Sequence, residues 1–146
     1  MAHKHAVLSA SSAARWIACP PSARLNAEKS DTPSEYAAQG TDAHTLCEYK
    51  LCKALGERVR DPTKQLASYD IEMEECAEAY CQFVMELVGQ FRAESKDTMV
   101  SVEQRVDFSA FVPEGFGTAD TLIISGKTVC IVDYKHGKGI EVSADH

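Results

Sequence analysis

Three charged residues interrupt two otherwise apolar runs late in the sequence: Asp120 in "GTADTLII" (117–124), and Asp133 and Lys135 in "TVCIVDYK" (128–135). Both runs read as strands, and Ser125-Gly126 between them reads as the turn of a hairpin. A two-residue loop there puts Asp120 opposite Ile131 and Thr118 opposite Asp133. Paired positions share a face and faces alternate along a strand, so Asp120, Asp133 and Lys135 project to one side. Two carboxylates a few ångströms apart repel each other and lose hydration, so half-buried they need a compensating cation or a shared proton. Carboxylate oxygens suit Mg²⁺ or Mn²⁺ rather than zinc. The Lys135 ammonium could orient a nucleophilic water or neutralise developing charge. That is apparatus for hydrolysing a phosphodiester. The alternative is a surface hairpin whose solvent face carries Asp, Asp and Lys as solubilising residues.

Two further groups belong to the same question. His44 and Glu48 are four apart in "DAHTLCEYKLCKAL", on the side of Leu51 and Leu55, so polar groups continue an apolar stripe. Such a pair is either a surface interaction or a support for a metal site, with the imidazole completing the shell. Glu103 in "MVSVEQRV" (99–106) stands on the Ser101 and Arg105 side, opposite Val100, Val102 and Val106, and is either a third acid or part of a solvated strand face.

The elements that position these residues follow from periodicity and punctuation. "SASSAARWIACPPSARL" reads as a short helix capped by Ser9 or Ser11 and stopped by Pro20-Pro21, with Trp16 as its anchor in the core. Residues 26–40 read as loop, and Thr41 reads as the cap of a second helix that Gly56 ends. A longer helix spans about residues 70–94, its stripe running through Met73, Cys76, Ala77, Tyr80, Val84, Leu87, Val88 and Phe91. Helices over 1–98 followed by strands over 99–146 predict one α+β domain, with the helical part packed on a small mixed sheet that ends in a hairpin.

With these elements placed, the residues resemble a known family. "GTAD", twelve intervening residues and "DYK" are similar to the PD-(D/E)XK nuclease signature, while "GTDAHTLCE" and "SASSAARWIACP" resemble upstream segments of RecB-like nucleases. The match extends in order over most of the chain, and the nearest likeness is the phage-associated family of RecB-type exonucleases called domain of unknown function 2800. The resemblance implies a restriction-endonuclease-like core. It implies Asp120 and Asp133 as ligands to Mg²⁺ or Mn²⁺, with Tyr134 lending its backbone carbonyl and His44 as a further ligand. It makes Lys135 the residue that positions water, Glu103 an acid of the first core strand, and Glu48 a supporting residue. The implied activity is metal-dependent exonuclease cleavage of DNA ends or single strands, in repair, recombination or phage DNA processing. Arg15 and Lys138 would contact phosphates.

Departures from the pattern set the alternatives. Eleven residues follow Lys135 where RecB-like members continue into a DNA-contacting helix, so the chain is expected to be the N-terminal portion of a longer unit. An inactive or truncated nuclease-like interaction module is the rival reading, and self-association or a partner completing the fold is expected with it. An iron–sulfur cluster is not expected: Cys19 matches one ligand of some relatives, but the three C-terminal cysteines are absent. Cys47 and Cys52, like Cys76 and Cys81, are five apart on helices, which opposes shared zinc ligation and favours buried thiols.

Composition sets outer limits. The balance of 15 Lys and Arg against 22 Asp and Glu gives −7, which argues against nucleic-acid binding through overall charge. The acids concentrate in "DIEMEECAE" (70–78), however, while residues 1–30 hold Lys4, Arg15, Arg24 and Lys29 against Glu28 alone. An acidic chain can present a basic face. No signal-like apolar run opens the sequence and no window approaches the roughly 18 apolar residues of a span, which predicts a cytoplasmic protein without membrane contact.

Overall fold

In the computed structural model the described residues are 6–27 and 34–137. They form helices α1 (Ala13–Ala18), α2 (Pro21–Ala27), α3 (Glu35–Ala54) and α4 (Ile71–Glu94), and strands β1 (Met99–Asp107), β2 (Phe116–Ser125) and β3 (Thr128–Val132). The three strands make a sheet in the order β1-β2-β3 that is antiparallel rather than mixed, while the protein is α+β as expected. The chain divides into two compact units. One comprises Pro33–Gln104 with Ala119–Gly139 and holds α3, α4 and the hairpin; the other includes α1, α2 and residues 105–118. Among the described residues no helix is long and apolar enough to cross a membrane.

In the α1–α2 unit a short 3₁₀ turn precedes α1, with Ser9 at its N-cap position but making no side-chain bond to the turn's backbone N–H groups. Trp16 ties the start down by donating its indole N–H to the Ser9 carbonyl at 2.9 Å. Pro20-Pro21 does not merely stop this helix, since Pro21 is the first residue of α2. Proline suits that position because its missing N–H would have had no intrahelical partner.

α3 starts earlier than its sequence suggests. Ser34 is the N-cap, its hydroxyl accepting the Ala37 N–H at 3.1 Å, whereas Thr41 lies inside the helix and donates back to the Ala37 carbonyl at 3.0 Å. The cap-like Thr41 and flexible Gly40 are both tolerated, because a threonine hydroxyl can satisfy itself within the helix. The other end is as expected. Gly56 takes a left-handed φ of 91°, and the Gly56 and Glu57 N–H groups close onto the carbonyls of Lys53 and Cys52, a Schellman motif. α4 also matches, with Asp70 accepting the Met73 N–H at 2.7 Å and Glu72 and Glu74 in the first turn.

α3 and α4 pack on each other and on one face of the sheet. Leu46, Leu51, Met73, Val84, Val88 and Ile123 are all below 2% exposed and form one core, with Val100, Val102, Cys130 and Val132 packed against it. Two polar contacts lock α4 to the strands. Tyr80 Oη and Thr121 Oγ1 share a buried hydrogen bond of 2.7 Å, and Thr98 Oγ1 bonds both Ser125 Oγ at 2.8 Å and the Phe91 carbonyl at 3.1 Å. On the α3–α4 surface Lys50 reaches Glu74 and Glu78, each at 2.7 Å.

The hairpin register differs from expectation by two residues. Ser125 pairs with Thr128 and Thr121 with Val132, so the loop is Gly126-Lys127 rather than Ser125-Gly126. Gly126 has a φ of 56°, which suits the first loop position of a type II′ turn. Ser125 is meanwhile held in β2 by its bond to Thr98. A shift of one residue would have turned every side chain to the other face, whereas a shift of two preserves the facing. It also brings the Asp133 position, one beyond the last pair, level with Asp120.

The Tyr80–Thr121 bond makes a direct prediction. Tyr80→Phe leaves the fully buried Thr121 hydroxyl without its partner and should cost about 1–3 kcal/mol in urea unfolding, while Tyr80→Phe with Thr121→Val should recover much of that loss. Equal stability of wild type and Tyr80→Phe would contradict the role of this bond.

Candidate functional site

Three of the acid and imidazole candidates, from three separate elements, converge. His44 of α3, Glu103 of β1 and Asp120 of β2 can each offer one ligand atom such that all lie within 4.8 Å of one another, and all three residues are half-buried. Asp120 is more enclosed than His44. Its side chain is 13% exposed, its Oδ2 accepts the Tyr134 N–H at 2.6 Å, and its Oδ1 lies 3.4 Å from His44 Nδ1. Tyr134, expected to offer its carbonyl, thus contributes its N–H to the site's central carboxylate. Its ring fills the space behind, edge-on to His44 at 5.6 Å and to Tyr80 at 5.1 Å.

Glu103 reaches this cluster through an unusual backbone. Regular alternation places it away from Val100 and Val102, but it has a φ of 48° in the middle of β1. A left-handed non-glycine residue interrupts the pleat, at a strain of roughly 1–3 kcal/mol, and such strain concentrates where a side chain has to be aimed. Here the aimed group is a carboxylate beside another carboxylate.

The protonation equilibria follow from that arrangement. The hydrogen bond to Asp120 raises the His44 pKa above its ordinary 6.5 against the opposing effect of burial, and the Asp120 and Glu103 charges add to the rise. Burial pushes Asp120 up, but the His44 and Tyr134 hydrogen bonds outweigh it and leave the carboxyl below its ordinary 3.8. Burial raises Glu103 above 4.5, and the charges of Asp120 and Glu48 raise it further. Lowered Asp120 stabilises the fold above pH 3.8 and loses this as pH falls through its folded pKa. Raised His44 contributes fully below pH 6.5 and loses this as pH rises through its folded pKa. The imidazolium–carboxylate pair is therefore strongest between those two values.

Asp133 and Lys135 stand beside this cluster and are not joined to it. Their side chains pair at 2.8 Å and are 54% and 60% exposed, one on each side of the buried Tyr134. The Lys135 charge nevertheless reaches the cluster, since it depresses the pKa values of both His44 and Asp120. Glu48 is exposed on α3 and acts on Glu103 through its charge. Arg15 is exposed on α1, in the other unit, and Lys138 lies outside the described residues. All six cysteines are free; Cys47, Cys52 and Cys81 are buried, while Cys76 is exposed.

One participant escaped sequence reasoning. His136 bonds the Tyr134 phenol through Nδ1 at 3.0 Å and stacks on that ring with 27° between planes. It follows Lys135 but belongs to no spacing pattern that would single it out.

The donor set suits a hard divalent cation. Two carboxylates and one imidazole within reach are appropriate ligands for Mn²⁺ or Mg²⁺, and a cation would relieve the repulsion that raises Glu103. Without metal, a proton NMR titration should place His44 above 6.5, and Asp120→Asn should bring it down, because the bond and the charge that favour the imidazolium are weakened or lost. A His44 pKa unchanged by Asp120→Asn would contradict the pairing.

No solved structure matches the chain. Residues 5–146 match the family described as Protein of unknown function (DUF2800), and the chain belongs to that family.

Proposed function

We propose that this protein is a divalent-metal-dependent DNA nuclease of the PD-(D/E)XK type, RecB-like, acting on ends or single strands as an exonuclease. The observation that carries the reading is the convergence of His44, Glu103 and Asp120 from α3, β1 and β2 beside the Asp133-Tyr134-Lys135 segment. The order of the motifs along the chain supports it independently.

His44, Glu103 and Asp120 would hold Mg²⁺ or Mn²⁺, and Asp133 would have to leave Lys135 to serve as a further oxygen donor. The bound ion would supply Lewis-acid activation of water and of the phosphodiester. The chain's own residues perform the remaining tasks. Tyr134 fixes the Asp120 carboxylate through its N–H, and its ring keeps the His44 imidazole in place. Lys135 is exposed and can leave Asp133 to orient the attacking water or meet the charge developing on the phosphate.

A second reading is a nuclease-like binding module without catalysis. What favours it is the Asp133–Lys135 pair, in which the two signature residues satisfy each other outside the cluster.

End-labelled single- and double-stranded DNA, incubated with Mn²⁺, Mg²⁺ or EDTA, separates the two. The nuclease reading expects metal-dependent cleavage that EDTA abolishes, with Asp120→Asn reducing it by more than roughly 10–100-fold, the loss expected even for outer partners of metal ligands. Asp133→Ala and Lys135→Ala should also reduce it. Cleavage that survives EDTA or Asp120→Asn rejects the metal mechanism, and DNA binding without cleavage favours the second reading.

A further inference from the structure

Beside the His44–Glu103–Asp120 cluster, α4 and the segment after β3 border an open cleft of about 360 Å³ whose α4 wall the proposed chemistry does not use. Tyr80, Phe83 and Glu72 line it from α4, and Tyr134, Lys135 and His136 from the opposite side. We infer that this cleft receives one unstacked base of a single-stranded DNA substrate, with Phe83 and His136 as its stacking platforms. The inference rests on the nuclease reading and specifies how that site holds its substrate.

The lining is unusual for a surface left to solvent. Phe83 is 53% exposed on α4, away from the Met73, Val84 and Val88 stripe that the core buries. The His136 ring is oriented by its stack on Tyr134 and by the phenol bond at 3.0 Å, so it presents a fixed plane. Stacking on such rings tolerates any base because every base has a π-face. The volume lies at the lower end of ligand clefts, room for a single nucleotide and not for a duplex.

Charge fixes the choice of occupant further. Lys135 on one flank attracts a phosphate, whereas Glu72 on the other repels it and can accept from the amino groups of a base edge. A nucleotide offers both features. Tyr134 connects cleft and cluster physically: its ring lines the cleft while its N–H holds Asp120. A strand with a phosphate at Asp120 therefore has a neighbouring nucleotide beside Phe83.

Fluorescence titration tests this with a short single-stranded DNA carrying 2-aminopurine, in low salt with Ca²⁺ replacing Mg²⁺ or Mn²⁺ so that the cation site is filled. Wild type should bind with quenching of the reporter base. Phe83→Ala should weaken binding by about five- to 150-fold and lose the quenching, and Phe83→Trp should keep both. Absence of binding by wild type, binding without quenching, or a Phe83→Ala protein equal to wild type would overturn the inference. Because Phe83 is largely exposed, its replacement leaves the core intact, which the unfolding midpoint checks. The two readings fail separately. Cleavage that persists in Asp120→Asn rejects the metal mechanism at Asp120, whereas unaltered binding by Phe83→Ala rejects only the cleft.

Discussion

The site depends on one carboxylate that is kept ionised while mostly removed from water. Asp120 is 13% exposed, and the groups that compensate are a backbone N–H at 2.6 Å and an imidazole at 3.4 Å. Neither comes from its own strand. The N–H belongs to Tyr134, just past β3, and the imidazole to His44 in α3, so Asp120 is stable as an anion only when helix and hairpin are both in place. This dependence ties the candidate chemistry to the fold.

Tyr134 is where that tie is made. It is 9% exposed and belongs to the same core as Leu46, Val84 and Ile123. Burying this side chain fixes the main chain on either side, which sets the N–H on Asp120 and turns Asp133 and Lys135 outward together. A buried residue between two exposed charges converts core packing into the placement of charge. The buried Tyr80–Thr121 bond braces the same region from α4.

The sequence revealed the parts of this arrangement that rest on local rules. α4 was legible because its apolar period is long and Asp70 caps it, and the end of α3 because only glycine suits the φ of 91° at position 56. The start of α3 was not, because Thr41 has the residue type of a cap yet bonds within the helix. The turn falls one residue later than its residue types suggest, and because the register shift is even the paired residues keep their expected facing. Candidate acids were legible by type, but not which acid stands nearest Asp120. Asp133 looked like its partner by spacing, while Glu103 joins it through a left-handed backbone that no alternation rule anticipates. His136 and Phe83 matter only through what they face across the cleft, which is tertiary information.

The account stands on His44, Glu103 and Asp120 forming one cation site, and calorimetric titration with Mn²⁺ addresses that without requiring turnover. One Mn²⁺ should bind per chain, and Glu103→Gln should weaken it by at least about tenfold, whereas Glu48→Gln, altering an exposed residue outside the cluster, should change it little. No Mn²⁺ binding, or equal affinity in wild type and Glu103→Gln, would contradict the account.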